Sequence, residues 1–152
     1  MPAYTPADSR FEARIRASFA RQGAMALIGA RLGRVEPGLV EIELPFRAEL
    51  TQQHGYFHAG MTSAIADTAG GYAGYTLFPA DSTVLTVEYK INLLAPADGD
   101  LLIATGRVRK SGRTLTICDL EVLVRKGATT STCAAGLQTL ICLQGKSDSP
   151  PP

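Results

Sequence analysis

The chain has 152 residues, 45% hydrophobic and 19% charged, with 15 Lys and Arg against 14 Asp and Glu for a formal net charge of +1. Such a length and composition suit one globular domain that buries a core without disulfides or structural metal, and exclude a second full domain or a disordered chain. The near-zero charge offers no general attraction to nucleic acid, no window approaches the ~20 apolar residues of a membrane span, and no apolar signal core is present, so a cytoplasmic protein is expected.

From Asp8 to Gln22, Phe11, Ile15 and Phe19 recur every four residues among Arg14, Arg16 and Arg21. The spacing predicts an amphipathic helix, capped by Asp8 or Ser9, that packs its apolar stripe inward from outside the core. Arg34 to Pro45 alternates apolar residues with Glu36, Glu41 and Glu43 at a period near two, which predicts a first strand broken at Pro37-Gly38. Thr51 to Gly60 is a polar loop with Gln52, Gln53, His54 and His58.

Met61 to Phe78 reads MTSAIADTAGGYAGYTLF, small or apolar on every face, with three glycines despite their cost in a helix. It predicts a helix wrapped on all sides with neighbouring backbone very close. Four β-rich segments follow: Val84 to Leu94, Leu101 to Lys110, Thr114 to Arg125 and Thr130 to Leu143. The links Ala95 to Asp100, Ser111-Gly112-Arg113 and Lys126-Gly127 are hairpin-short, so sequence neighbours are expected to pair antiparallel. Cys118, Cys133 and Cys142 lie in apolar runs without CxxC spacing, and an odd count suits buried reduced thiols better than a disulfide framework.

One long sheet and one helix that is apolar all round have a natural solution, in which the sheet curls about the helix. The expected fold is therefore α+β of hotdog type: a long central helix wrapped by a curved antiparallel sheet, with an extra N-terminal helix. A single domain over residues 1–145 and a disordered tail over 146–152 complete the expectation.

Within the wrapped helix the one charged side chain is Asp67, and a buried carboxylate is costly unless paired. It could be structural, held by a Lys or Arg from a strand or by Thr68 and Ser63; it could equally be functional. His58-Ala59-Gly60 precedes the helix, where free N–H groups and the positive end of the dipole make a site for negative charge. His58 itself could cap the helix or lie in solvent. Asp67 stands eight residues beyond Ala59, about 12 Å at ~1.5 Å per helical residue, too far for one reacting carbon to touch both within a chain. If both serve one reaction, Asp67 of one subunit faces the helix entrance of its twofold mate, and the chain is a dimer.

The segment QQHGYFHAGMTSAIADTAGGYAGY followed by TVEYKINLLAPA resembles hotdog thioesterases of the phenylacetate-pathway type, over about Gly33 to Leu143. That family shows Asn-x-x-Gly-x-x-His-Gly-Gly and then a helix with Ala-Asp-Thr. Here the same spacing runs from Gln52 through Gly55, His58, Ala59 and Gly60 to Ala66-Asp67-Thr68, with Gln52 at the usual Asn and Ala59 at the first Gly. Gln keeps an amide and Ala59 keeps a backbone N–H.

The resemblance implies hydrolysis of an acyl-coenzyme A thioester, medium-chain or aromatic, without cofactor or metal, by a homodimer or homotetramer. It implies Asp67 as nucleophile or general base, the Ala59 amide as oxyanion donor, and His58 and Gln52 near the carbonyl or thiolate. Thr86 matches a strand position where some relatives hold water. Gly60, Asn92 and the basic hairpin Arg109-Lys110-Ser111-Gly112-Arg113 would meet the coenzyme A, although that hairpin could be only a solvated turn. Tyr56, Phe57, Tyr72 and Tyr75 would line an acyl pocket or simply belong to the core. A hotdog hydratase or dehydratase, and an acyl-CoA-binding module without turnover, are the competing readings.

Overall fold

In the computed structural model, which describes residues 4–149, two short helices lead into a six-stranded sheet and one long helix. The elements are α1 (Phe11–Phe19), α2 (Gly23–Ile28), β1 (Arg31–Glu36), β2 (Leu39–Pro45), a 3-10 turn (Ala48–Leu50), α3 (Ala59–Tyr75), β3 (Ser82–Leu93), β4 (Leu101–Ser111), β5 (Leu115–Lys126) and β6 (Thr129–Gln144). The strands lie in the order β1-β2-β4-β5-β6-β3, each pair antiparallel. The fold is the expected hotdog, with α3 along the concave face.

The N-terminal helix is shorter than its periodicity suggests. Gln22 adopts an extended conformation (φ −76°, ψ 98°), which ends α1 and starts α2. Arg10 occupies the cap position without a side-chain cap bond, while Asp8 Oδ1 accepts from the Arg10 N–H at 2.9 Å and the Asp8 carbonyl from Phe11 at 3.1 Å. Ile15 is fully buried, so the apolar stripe does face inward. Arg14 reaches the far end of α3, donating to the carbonyls of Tyr75 (3.0 Å), Phe78 (2.8 Å) and Pro79 (2.6 Å). A cation at a helix C-terminus satisfies orphan carbonyls and the negative dipole end together.

Two strand expectations need correction. The segment broken at Pro37-Gly38 is a hairpin of two paired strands, with Leu32 opposite Ile42 and Glu36 opposite Leu39. Gly38 takes φ +76°, a left-handed turn conformation that glycine adopts without steric cost, and its N–H donates to Thr76 Oγ1 at 2.8 Å. The link Ala95 to Asp100 is not a hairpin either: β3 pairs with β6, from Ser82 opposite Gln144 to Leu93 opposite Ala134. Because α3 carries the chain across the sheet between β2 and β3, β3 lands at the opposite edge and β4 fills the place beside β2. The links β4–β5 and β5–β6 are hairpins as expected.

Small residues on α3 set its distance from the sheet. A Cβ on Gly106 of β4 would collide with the backbone of Ala69 and Gly70, and one on Gly70 with the Gln138 and Leu120 side chains. Helix and strand backbones therefore approach as closely as main chains can, which explains glycines where helix propensity disfavours them.

β3 is an edge strand that exposes large apolar side chains, Leu85 (57%), Val87 (55%) and Leu93 (56%) among them. A bulge between Thr86 and Glu88 shifts its register. The extra residue reverses the alternation: Thr86 pairs with buried Leu140 on the helix side, whereas Glu88 pairs with Thr139 on the outer face. Lys90 and Asn92 follow Glu88 onto that outer face, whereas strict alternation from Thr86 would place them on the helix side.

Beyond β6, Asp148 accepts from Arg21 (2.5 Å) and from the Thr83 hydroxyl (3.0 Å), so residues up to Ser149 lie against α1 and β3. The rest of the tail, residues 150–152, lies outside the described residues.

Candidate active site

Asp67 sits midway along α3, half-buried, facing β3 and β6. Its Oδ1 accepts from the Thr86 hydroxyl at 2.7 Å and from Gln138 Nε2 at 2.6 Å. Gln138 Nε2 also lies 3.1 Å from the Asp67 carbonyl and 3.1 Å from Thr86 Oγ1. None of the anticipated local partners is used: Thr68 donates to Met25 Sδ at 3.6 Å and Ser63 to the Ala59 carbonyl at 2.9 Å. Nor does Asp67 form an ion pair with Lys or Arg among the described residues. Both donors are neutral side chains and both meet the same carboxylate oxygen.

Gln138 is the residue that sequence reasoning missed. It is fully buried, and its Oε1 has no hydrogen-bond partner among the described residues. The signal was present: a lone amide at an inward position of a strand, two residues from Leu140, needs a buried partner. The orphaned Oε1 fits an amide whose orientation is dictated by acceptors on its other end.

The second group of predicted residues gathers at the start of α3. His58 is the N-cap residue, and its Nδ1 accepts from the Gly60 N–H at 2.8 Å. That bond makes His58 a cap, places the proton of its neutral ring on Nε2, and occupies the Gly60 amide. Ala59 is the first helical residue, where the N–H has no intrahelical acceptor, and no other protein acceptor takes it among the described residues. Gln52 holds the loop, accepting from the His54 N–H through Oε1 and donating its own N–H to the Tyr56 carbonyl at 2.9 Å. Gln52, Tyr56, Phe57 and Ala59 line a cavity of about 510 Å³ together with Leu93, Leu94 and Cys133.

Asp67 and Thr86 line a different cleft, of about 330 Å³, with Gln22, Thr68, Gly71 and Tyr72. The helix entrance and the carboxylate therefore open into separate spaces of one chain, as the ~12 Å of intervening helix requires. Tyr72 and Tyr75 are buried; burial pushes the phenol of each above its ordinary value, and the Tyr72 hydroxyl is bound by Ser18 (3.0 Å) and Gln22 (2.9 Å).

The basic hairpin lies at the β4–β5 turn. Arg109 is engaged by Asp119, its Nε 3.0 Å from Oδ2, while Lys110, Ser111, Gly112 and Arg113 are exposed. Asn92 is exposed on the outer face of β3. All three cysteines are buried and free; burial pushes the Cys118 thiol up to about 12 and that of Cys133 up to about 11. Among the described residues no group of three or more His, Cys, Asp or Glu side chains could hold a metal ion, and no helix is long and apolar enough to cross a membrane.

A curved antiparallel sheet wrapped around one long helix makes this a hotdog-fold protein. Residues 54–131 match the thioesterase superfamily, and the chain belongs to that family. A thioesterase family protein from Silicibacter pomeroyi has a crystal structure 41% identical to this chain, covering 89% of it and 99% of that chain, with a TM-score of 0.87. The E. coli PaaI protein of the phenylacetic acid degradation operon shares the fold at 20% identity, over 91% of this chain and 97% of that one, with a TM-score of 0.80. Among curated relatives, a Saccharolobus solfataricus protein named as an esterase is 32% identical over 87 residues, 57% of this chain and 61% of that one. The chain thus spans a little under two thirds of that relative. Thioester hydrolysis in general is the activity that family membership supports.

Proposed function

We propose that this protein hydrolyses an acyl-coenzyme A thioester, with a medium-chain or aromatic acyl group, to free acid and coenzyme A, using neither metal nor cofactor. The observation that carries the reading is the setting of Asp67, whose Oδ1 is held by Thr86 and Gln138 and which itself lines the cleft. In the reaction Oδ2 takes a proton from water while the oxygen of that water adds to the thioester carbon. The carbonyl oxygen becomes an oxyanion and is met by the free Ala59 N–H at the positive end of α3. The C–S bond then breaks, and the proton held by Asp67 passes to the departing thiolate. Direct attack by Oδ2 would reach the same products through an anhydride that water opens.

Each site takes Asp67 from one protomer and the Ala59 amide from its partner in a homodimer, which can pair further into a tetramer. The apolar, unpaired edge of β3 supports this, since a long exposed edge strand is a template for pairing with a second copy. The basic hairpin from Arg109 to Arg113 is assigned to the phosphates of coenzyme A, with His58, Gln52 and Gly60 beside the thioester and Asn92 toward the cofactor arm. A cytoplasmic setting suits such a substrate.

The test is release of free thiol from a panel of acetyl-, hexanoyl-, phenylacetyl- and benzoyl-CoA by wild type and Asp67→Asn. Turnover of one or more thioesters and a loss of about a hundredfold in the variant are expected. Binding without thiol release by wild type would replace hydrolysis with the acyl-CoA-binding reading, and release of a hydrated product with the hydratase reading.

A further inference from the structure

The cleft beside Asp67 has a neighbour. A second space of about 380 Å³ adjoins it, and the two share Gln22, Tyr72, Val84 and Leu85 in their walls. Val84 and Leu85 belong to β3 and Tyr72 to α3, so only Gln22, from the junction of α1 and α2, lies outside the central helix and the sheet. Its extended backbone turns the side chain toward α3, where Nε2 donates to the Tyr72 hydroxyl at 2.9 Å. The same hydroxyl is bound by Ser18 Oγ at 3.0 Å, and Tyr72 is buried. The Gln22 arm is therefore tied down at the boundary between the two spaces, on a hydroxyl that Ser18 also holds.

We infer that Gln22 is the partition that sets how long an acyl chain the enzyme accepts. This rests on the hydrolytic reading above and adds a specificity residue to it. An acyl chain whose thioester carbon stands at Asp67 enters the first cleft, and its far end meets the Gln22 amide. Past that amide the apolar side formed by Val84 and Leu85 continues and gains Leu143, facing a polar rim that includes Ser18, Arg21, Thr83 and Asp148; the apolar side suits further methylenes. A chain that stops at Gln22 is fully housed; a longer one must displace a hydrogen-bonded amide. Truncating Gln22 joins the two clefts, and each methylene then buried adds up to about fourfold in affinity.

The experiment measures calorimetric binding of non-hydrolysable S-alkyl-CoA thioethers, from propyl to dodecyl, to wild type, Gln22→Ala and Tyr72→Phe, beside turnover of the matching acyl-CoA thioesters. Wild type is expected to gain affinity with length up to a limit and then lose it. Gln22→Ala moves the limit to longer chains, with at least a tenfold gain for the longest. Tyr72→Phe, which frees the arm without removing it, moves the limit in the same direction by less. Identical length profiles in wild type and Gln22→Ala would overturn the partition, as would absence of thioether binding. A shifted binding profile without thioester turnover would leave the partition standing and remove the hydrolytic reading. Turnover with an unshifted profile would do the reverse.

Discussion

Gln138 Nε2 lies 2.6 Å from Asp67 Oδ1 and within 3.1 Å of both the Asp67 carbonyl and Thr86 Oγ1, so one buried amide sets the rotamer of the carboxylate. A hydrogen bond to a charged group contributes about 1.5–3 kcal/mol, which corresponds to about 10–100-fold in rate when it acts on the reacting group. Gln138→Leu is accordingly expected to lower kcat by that factor with little change in KM. In an Asp67→Asn background the same substitution has no further effect on kcat, because the two residues act as a unit. Additive losses in the double-mutant cycle would mean that Gln138 acts elsewhere.

The division of the site between protomers can be tested by complementation. Pro is tolerated at the first position of a helix, and His58 already has the extended conformation (φ −64°, ψ 137°) that a residue before Pro prefers. Ala59→Pro thus removes the N–H and keeps the helix. Mixing inactive Ala59→Pro with inactive Asp67→Asn should restore about a quarter of wild-type activity, from the single intact site of each mixed dimer. No recovery after subunit exchange would place both groups of a working site in one chain.

Arg14 ties α1 to the end of α3 through three carbonyls and stands 4.3 Å above the Tyr75 ring. Its side chain is only 15% exposed. Arg14→Met should lower stability by about 2–3 kcal/mol, a fall in Tm of about 5–10 °C. A Tm within a degree of wild type in thermal unfolding would show that the latch contributes nothing.

Gly71 differs from its neighbours on α3. Apart from its chain neighbours and the backbone of its own helix, no atom among the described residues lies within 4 Å of where its Cβ would stand, and it lines the Asp67 cleft. Its missing side chain therefore keeps the cleft open rather than letting backbones meet. Gly71→Ala should gain about 1 kcal/mol of helix propensity and raise Tm by about 2–4 °C, while turnover of the bulkiest acyl-CoA falls. A lower Tm would reveal a packing role that the open space does not suggest.

The thiols give a pH dependence of definite sign. Desolvation raises Cys118 to about 12 and Cys133 to about 11 from an ordinary value of 9.0. A raised thiol contributes stability that is fully present below pH 9 and is lost as pH rises from about 9 toward about 11–12, because the unfolded chain ionises first. Urea unfolding midpoints should fall across that window and recover in Cys118→Ala and Cys133→Ala relative to wild type. Both thiols should also stay silent to a disulfide reagent at pH 8 until the protein unfolds.

Much of the fold could be read from residue patterns. The wrapped helix is legible because Ala66, Ala69, Gly70 and Ala73 leave no polar face, and the last four strands are legible from apolar runs between turn residues. β3 beside β4 was misplaced because hairpin logic reads only link length. The route taken by α3 decides which strand edges are free, and that is a property of the whole chain. The face of Asn92 cannot be read by alternation from Thr86, because alternation assumes no bulge and the extra residue at Val87 leaves no mark in composition.

Residue chemistry alone singled out Asp67, His58 and Ala59, since a carboxylate in an apolar helix and a free amide at its start are local features. Their separation along the helix follows from the rise per residue, so the expectation that one reaction would draw on two chains also came from the sequence. Only tertiary structure decided what holds Asp67. Thr86 and Gln138 come from strands 19 and 71 residues away, and sheet order and bulge position bring them onto one oxygen. The same holds for Gln22, whose place in the cleft wall depends on where α1 ends and on how it packs across Tyr72. Long-range contacts of this kind are fixed by how a few close-packed surfaces fit, which no local pattern encodes.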